Sequence, residues 1–213
     1  MSRDPGAAAA AEKKTLHASE RDTPRVRALR GHFRRRAVAV DPKRFVFVDE
    51  SGINTSMTRT RGRAPPGERV LGAVPQGHWK TLTMLGALRL DGIAAAATVD
   101  AATDADVFGV FVRQALVPAL RPGDVVVWDN LAPHKAAHVE QELERARAKL
   151  MPLPPYSPDL SPIEPCWSKV KGHVRDAAPR TVEALGRAAA EGFDKVTAAD
   201  ARGWFEKCGY CVH

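Results

Sequence analysis

The segment DVVVWDN, residues 124–130, places an unbroken apolar centre between two acidic residues. Such a run is typical of a strand that helices cover on both faces, because a half-exposed strand alternates apolar and polar residues. The segment RFVFVDES, residues 44–51, has the same form and is rich in Phe and Val. We therefore expect two buried strands, one closed by Asp49 and the other by Asp129.

The regions between and after these strands alternate between strand and helix patterns. Residues 78–100 form two β-like runs joined at Asp91-Gly92, which is a hairpin signal. Residues 103–120 repeat apolar side chains at helical spacing behind Thr103, a candidate N-cap. A helix over 136–148, a short strand from residue 149, and two or three C-terminal helices complete a mixed α/β fold with one sheet.

The composition indicates one sizeable intracellular domain. The chain has 213 residues, 44% of them hydrophobic, and no apolar run approaches the length that spans a bilayer. The N-terminus lacks the pattern of a secretory signal, and three cysteines fit a reducing compartment. Cys208, Cys211 and His213 lack a fourth ligand and a standard finger spacing, which argues against a zinc site.

The positive charge is concentrated near the N-terminus. Residues 1–44 hold 12 Lys and Arg against 5 Asp and Glu, a net of +7, whereas residues 45–213 hold 20 of each. The densest part, residues 21–36, reads either as an arm that lies along phosphates or as a solvated basic helix face. Apolar residues recur there at helical spacing, which favours a short helix, at Val26, Leu29, Phe33 and Ala37.

The two strand-end acids suggest a metal site. If their strands are adjacent and parallel, Asp49 and Asp129 emerge at one edge of the sheet, where sites form in open α/β folds. Two close carboxylates repel each other unless a cation lies between them. Oxygen ligands without a nearby His or Cys cluster indicate Mg²⁺ or Mn²⁺.

A third acid lies in a proline-rich segment, LPPYSPDLSPIEPCW (residues 153–167). Five of its fifteen residues are proline, which makes the segment stiff around Glu164. Two interpretations stay open. Ser161, Pro162 and Glu164 fit a capping box at a helix start, and the same geometry would hold a carboxylate ligand in place.

Three stretches together resemble the catalytic domain of DDE transposases, most closely the bacterial insertion-sequence six-thirty group related to mariner. They span residues 47–88 (beginning FVDESGIN), residues 126–135 (VVWDNLAPHK) and residues 153–171 (LPPYSPDLSPIEPCWSKVK). Thirty-four residues separate Asp129 from Glu164, the spacing typical of that group. The chain has Ser161 where the group usually has Asn, and serine caps a helix equally well.

The resemblance implies a ribonuclease-H-like fold, a mixed five-stranded sheet flanked by helices, over residues 44–213. It implies that Asp49, Asp129 and Glu164 are the catalytic acids and hold two Mg²⁺ or Mn²⁺ ions. The implied chemistry is phosphodiester hydrolysis at transposon ends and strand transfer into a target duplex. Residues 1–43 would be a disordered, basic arm or linker, with the family's helix-turn-helix domains absent. A homodimer, a separate helix-turn-helix polypeptide and a bacterial, nucleoid-associated, cytoplasmic location would follow, without membrane contact.

Further residues are candidates for support and DNA contact. Asn130 and His134 would lie behind the acids and orient them. Arg59, Arg61 and Arg63 alternate, so a strand would aim them at one face as a phosphate-binding strip, although a solvated loop explains them too. Trp128 and Trp167 read as core residues. The remaining DNA-binding candidates are Arg34, Arg35, Arg36, Lys80, Lys169 and Lys171.

Two other functions fit the same residues. One is an inactive transposase remnant that only binds DNA, and metal-dependent cleavage would separate it from an enzyme. The other is a generic ribonuclease-H-like nuclease acting on hybrids or branched DNA. Only a transposase should join a 3′-hydroxyl end to a second duplex.

Overall fold

A single mixed sheet forms the centre of the protein. The computed structural model describes residues 17–101, 104–129 and 137–212. The strands among these residues are β1 (Phe45–Asn54), β2 (Thr81–Arg89), β3 (Gly92–Val99), β4 (Val125–Val127) and β5 (Lys149–Leu150). They lie side by side in the order β3-β2-β1-β4-β5. Strands β1 and β2, and likewise β2 and β3, are antiparallel, whereas β4 is parallel to both β1 and β5.

Helices cover both faces of this sheet. One face carries four longer helices, α1 (Pro24–Val38), α5 (Ile163–Ala177), α6 (Val182–Asp194) and α7 (Ala198–Lys207). The other face carries α2 (Ala105–Phe111), a π-helical segment (Val112–Leu116), α3 (Val117–Ala119) and α4 (Ala137–Arg145). No helix among the described residues has the length and apolar character that crossing a membrane requires.

Side-chain alternation on β1 explains the two cores. Phe45 and Phe47 pack with residues of α5, α6 and α7, while Val46 and Val48 pack with residues of α2 and α4 on the opposite face. All four are essentially inaccessible to solvent. The prediction of doubly covered strands is therefore confirmed, as is the hairpin at Asp91-Gly92, where Gly92 has a positive φ of 126°.

Strand β1 continues past Asp49, contrary to the expectation that Asp49 closes it. The strand extends to Asn54 because β2 pairs with it along the whole stretch, from Phe47 opposite Leu88 to Asn54 opposite Thr81. Strand β4 pairs only with residues 45–47. Asp49 thus lies two residues beyond the last β1 residue that pairs with β4.

Helix α1 is ordered, so the expectation of a disordered arm through residue 43 is wrong for residues 24–38. The Thr23 hydroxyl accepts a hydrogen bond from the Val26 amide, and Pro24 occupies the first helical position. Val26 and Phe33 are buried, and Phe33 belongs to the core beside β1. Residues 1–16 lie outside the described part of the chain.

Two further sequence predictions concern helix starts. Residues 105–119 are helical as predicted, but Asp104 caps them by accepting from the amides of Asp106 and Val107. Thr103, the predicted cap, lies outside the described residues. The predicted helix after residue 136 and the short strand after it are confirmed as α4 and β5.

Candidate active site

Asp49 lies at the centre of the site, on the face of β1 that α5 covers. Trp167 of α5 donates its indole N–H to Asp49 Oδ2 over 2.8 Å. Burial raises the pKa of Asp49 from 3.8 to about 7; the Trp167 hydrogen bond opposes this rise, and the negative charges of Glu164 and Glu50 add to it.

Asp129 follows β4 at the same edge of the sheet. Phe47 and Val127 are paired in parallel register, so Asp49 and Asp129 each come two residues after a paired position. The chain beyond β5 extends this alignment, because the Leu153 amide donates to the Trp128 carbonyl over 2.8 Å. The proline-rich segment therefore begins directly beside Asp129.

Glu164 lies in the first turn of α5, and the predicted capping box does not form. Pro162 occupies the N-cap position, so no side-chain oxygen caps this helix. The Glu164 amide instead donates to the Ser161 carbonyl over 3.2 Å. Among the described residues no hydrogen bond engages the Glu164 carboxylate. Burial raises its pKa, and the Lys171 ammonium partly offsets that rise.

One cavity of about 420 Å³ unites the three acids. Asp49, Asp129 and Glu164 all line it, together with Tyr156 and neighbouring residues of the proline-rich segment. Their oxygen donors suit Mg²⁺ or Mn²⁺. Within residues 17–101, 104–129 and 137–212, however, no three His, Cys, Asp or Glu side chains stand close enough to hold a metal ion as they are. The three acids therefore share a cavity without forming a preassembled metal site in the described part of the chain.

The residues expected behind the acids are only partly accounted for. Asn130 and His134 lie outside the described residues. Trp128 and Trp167 are buried, as predicted for core residues. The sequence reasoning missed the hydrogen bond from Trp167 to Asp49, although Trp167 lies one turn after Glu164 and thus on the same helix face.

The predicted arginine strip is wrong. No strand forms between Asn54 and Thr81, both of which are described, so Arg59, Arg61 and Arg63 do not alternate on one face. Arg59 forms a two-pronged ion pair with Asp176 of α5, while Arg61 and Arg63 are exposed. Proline and glycine recur through residues 62–77, which is typical of a loop, and residues 59–80 are exposed throughout.

The other DNA-binding candidates differ in their surroundings. Arg34, Arg35 and Arg36 are exposed on the last turns of α1, and Lys80 is exposed just before β2. Lys169 forms an ion pair with Asp200, which completes the capping box of α7 with Thr197. Burial and the charge of Arg175 lower the pKa of Lys171, while the charges of Glu164 and Asp49 oppose that change. Lys171 is therefore the candidate that interacts electrostatically with two of the acids.

Known proteins resemble this chain in sequence and in fold. The family described as DDE superfamily endonuclease matches residues 44–186. The "Transposable element Tcb2 transposase" of Caenorhabditis briggsae is 40% identical over 47 residues, which are 22% of this chain and 17% of that protein.

Solved structures of Mos1 transposase share the architecture. The Mos1 paired-end complex with the left transposon end matches with a TM-score of 0.70 and 19% identity over 94% of this chain, which spans 64% of the Mos1 chain. The isolated catalytic domain of Mos1 mariner transposase matches with a TM-score of 0.55 and 16% identity, over 86% of this chain and 84% of that one. These likenesses show the fold, the ribonuclease-H-like mixed sheet flanked by helices that the sequence predicted.

Proposed function

The chain belongs to the DDE superfamily endonucleases, and we propose that it is the catalytic domain of a DNA transposase of the bacterial insertion-sequence six-thirty group. The observation that carries this proposal is the cavity shared by Asp49, Asp129 and Glu164. Three carboxylates from two parallel strands and a helix start converge there, although 115 positions separate the first from the last. A structural role does not require such convergence.

Asp49, Asp129 and Glu164 would hold two Mg²⁺ or Mn²⁺ ions, which when bound supply the charge that activates the attacking oxygen and stabilises the leaving oxygen. The protein's own contribution is position. Trp167 holds one oxygen of Asp49, and the short link from Trp128 to Leu153 holds the segment that leads to Glu164. Asn130 and His134 are proposed to orient Asp129 from behind.

DNA is the proposed partner, as transposon end and as target duplex. Cationic side chains would contact its phosphates, with little choice of sequence. We assign this role to Lys171 and Lys80, to the three arginines of residues 34–36, and to the exposed Arg61 and Arg63. Arg59 and Lys169 would have to leave their ion pairs to take part.

The wider assembly follows from the proposed group. A homodimer would pair two transposon ends, and helix-turn-helix domains on a separate polypeptide would read the end sequence. The site of action would be the bacterial nucleoid. The paired-end complex and the strand transfer complex of Mos1 transposase support this assignment by analogy.

Joining of DNA ends tests this function. The purified chain is incubated in Mn²⁺ with a labelled duplex carrying the inverted repeat that flanks its own gene, ending in a 3′-hydroxyl, and with a target plasmid. We expect labelled plasmid to form with the wild-type chain and none with Asp49→Asn. Cleavage of an RNA–DNA hybrid without any joining would instead favour a generic ribonuclease-H-like nuclease.

A further inference from the structure

A buried arginine of helix α1 forms hydrogen bonds and an ion pair with the proline-rich segment. Arg30 of α1 is only 6% exposed. Its guanidinium donates to Ser157 Oγ over 2.7 Å, to Asp159 Oδ1 over 2.9 Å and to Asp159 Oδ2 over 2.7 Å. A planar guanidinium meeting a carboxylate with two parallel hydrogen bonds fixes orientation as well as distance.

The residues that Arg30 contacts directly follow an unfavourable backbone conformation. Tyr156 has a φ of 54°, in the left-handed region that a bulky residue seldom adopts. Ser157, which follows it, accepts from Arg30 and donates its hydroxyl to the Pro155 carbonyl over 3.0 Å. Arg30 thus holds the Ser157 hydroxyl, whose own hydrogen bond to the Pro155 carbonyl closes this turn.

Few other described hydrogen bonds tie residues 153–163 to the rest of the fold. The Leu153 amide ties the start of the segment to Trp128, Arg21 donates to Asp159 Oδ2 over 3.2 Å, and the Tyr210 hydroxyl donates to the Leu160 carbonyl over 2.7 Å. Proline supplies stiffness along the chain but no attachment across it, because it lacks an N–H donor. Arg30 makes three hydrogen bonds to this stretch, more than any of these other partners.

We propose that Arg30 is a positioning residue, which sets the place of the Glu164 carboxylate in the metal cavity through Ser157 and Asp159. The inference rests on the proposed function, since it treats Glu164 as a metal ligand. Arg30 precedes residue 44, where the family match begins. Helix α1 is thus part of the active site's support, and the catalytic unit extends N-terminally to at least this helix.

The charges around Asp159 fit a support of this kind. Arg21 lies 3.2 Å and Arg34 lies 4.0 Å from Asp159 Oδ2, so three arginines of the basic region face one carboxylate. Burial raises the pKa of Asp159, but the hydrogen bond and charge of Arg30 outweigh it and leave the pKa below its ordinary value. Asp159 therefore stays ionised, and its ion pair with Arg30 persists, throughout the neutral pH range.

The test compares Arg30→Gln with Arg27→Gln, a variant matched in charge on the same helix. Arg27 is 69% exposed and contacts Asp22, not the proline-rich segment. Hydrogen–deuterium exchange is read at the amides of Leu160 and Ser161, and Mn²⁺ binding is measured by electron paramagnetic resonance. We expect Arg30→Gln alone to speed exchange at these amides and to weaken Mn²⁺ binding about 10-fold, as loss of a ligand's supporting partner does.

A conservative variant keeps the test decisive if Arg30→Gln unfolds. Arg30→Lys retains the charge and one contact but loses the two-pronged geometry, so we expect an intermediate Mn²⁺ affinity. Unchanged exchange in the folded Arg30 variants, or faster exchange with unchanged Mn²⁺ affinity, would overturn the proposal. A wild-type chain that binds no Mn²⁺ contradicts the metal site and with it the role of Arg30, whereas the exchange data separately decide whether Arg30 holds the segment.

Discussion

Replacement of Trp167 by phenylalanine should shift the pH dependence of metal binding. Phenylalanine keeps most of the buried ring but removes the indole N–H that lies 2.8 Å from Asp49 Oδ2. That hydrogen bond favours the ionised carboxylate and opposes the rise that burial and the neighbouring Glu164 and Glu50 impose on the Asp49 pKa. Its loss therefore raises the pKa further.

The size of the shift follows from the strength of the bond. A hydrogen bond to a charged group contributes about 1.5–3 kcal/mol, and each unit of pKa corresponds to about 1.4 kcal/mol. The pKa of Asp49, about 7 in the wild-type protein, should therefore rise by about one to two units. Since a metal ion binds the ionised carboxylate, the variant should need a correspondingly higher pH to bind equally well.

Calorimetric titration with Mg²⁺ between pH 6 and 9 measures this effect. The wild-type affinity should rise with pH and level off just above 7, whereas that of Trp167→Phe should level off one to two units higher, with the curves converging at alkaline pH. Trp204→Phe, a change of the same kind at the partly buried core side of α7, serves as the control. A uniform loss of affinity at every pH would refute the reasoning, because it would indicate general damage rather than a lost hydrogen bond.

Three further predictions concern stability and DNA affinity. In EDTA, Asp49→Asn should raise Tm at pH 8 but not at pH 4. The pKa of Asp49 is raised from 3.8 to about 7 in the folded protein, so its ionisation lowers the free energy of unfolding as pH increases, by at most about 4 kcal/mol. Equal Tm changes at both pH values would contradict this prediction. Asp124 and Arg89 form a buried ion pair over 2.6 Å. Asp124→Ala leaves the Arg89 guanidinium buried without this partner, so it should lower the free energy of unfolding, measured in urea, by about 3–5 kcal/mol. A loss below about 1 kcal/mol would contradict a structural role for the pair. Changing all three arginines of residues 34–36 to glutamine should reduce the slope of log Kd for DNA against log salt concentration by up to about 0.9 per lost phosphate contact. Fluorescence anisotropy measures this slope, and an unchanged value would show that α1 does not contact DNA.

The strands could be predicted because their apolar runs are local. FVFV and VVV need cover on both faces wherever they lie, so the two buried strands follow from short stretches, whereas their parallel pairing was only a condition of the argument. The end of β1 could not be predicted in the same way. Its extension past Asp49 depends on five residues of β2, 81–85, which pair with residues 50–54 and lie about thirty residues further along the chain.

The sequence singles out the three acids, whose role as metal ligands stays a prediction, but it does not indicate what supports them. Asp129 and Glu164 have a recognisable spacing, and both line one cavity with Asp49. The capping box failed at Ser161 because Pro162 takes the N-cap position, a shift of one residue that composition does not reveal. The hydrogen bonds from Arg30 to Asp159 join residues 129 positions apart, so no local sequence pattern predicts them.

Nicking of supercoiled plasmid by the purified chain tests the metal-dependent acid site most directly. The wild-type chain is assayed in Mn²⁺ and in Mg²⁺, with EDTA and an Asp129→Ala variant of confirmed fold as controls. The account predicts open circles only when the wild-type chain and a divalent metal are both present. Nicking that survives EDTA or persists in Asp129→Ala, or a folded wild-type chain that leaves the plasmid intact, would contradict it.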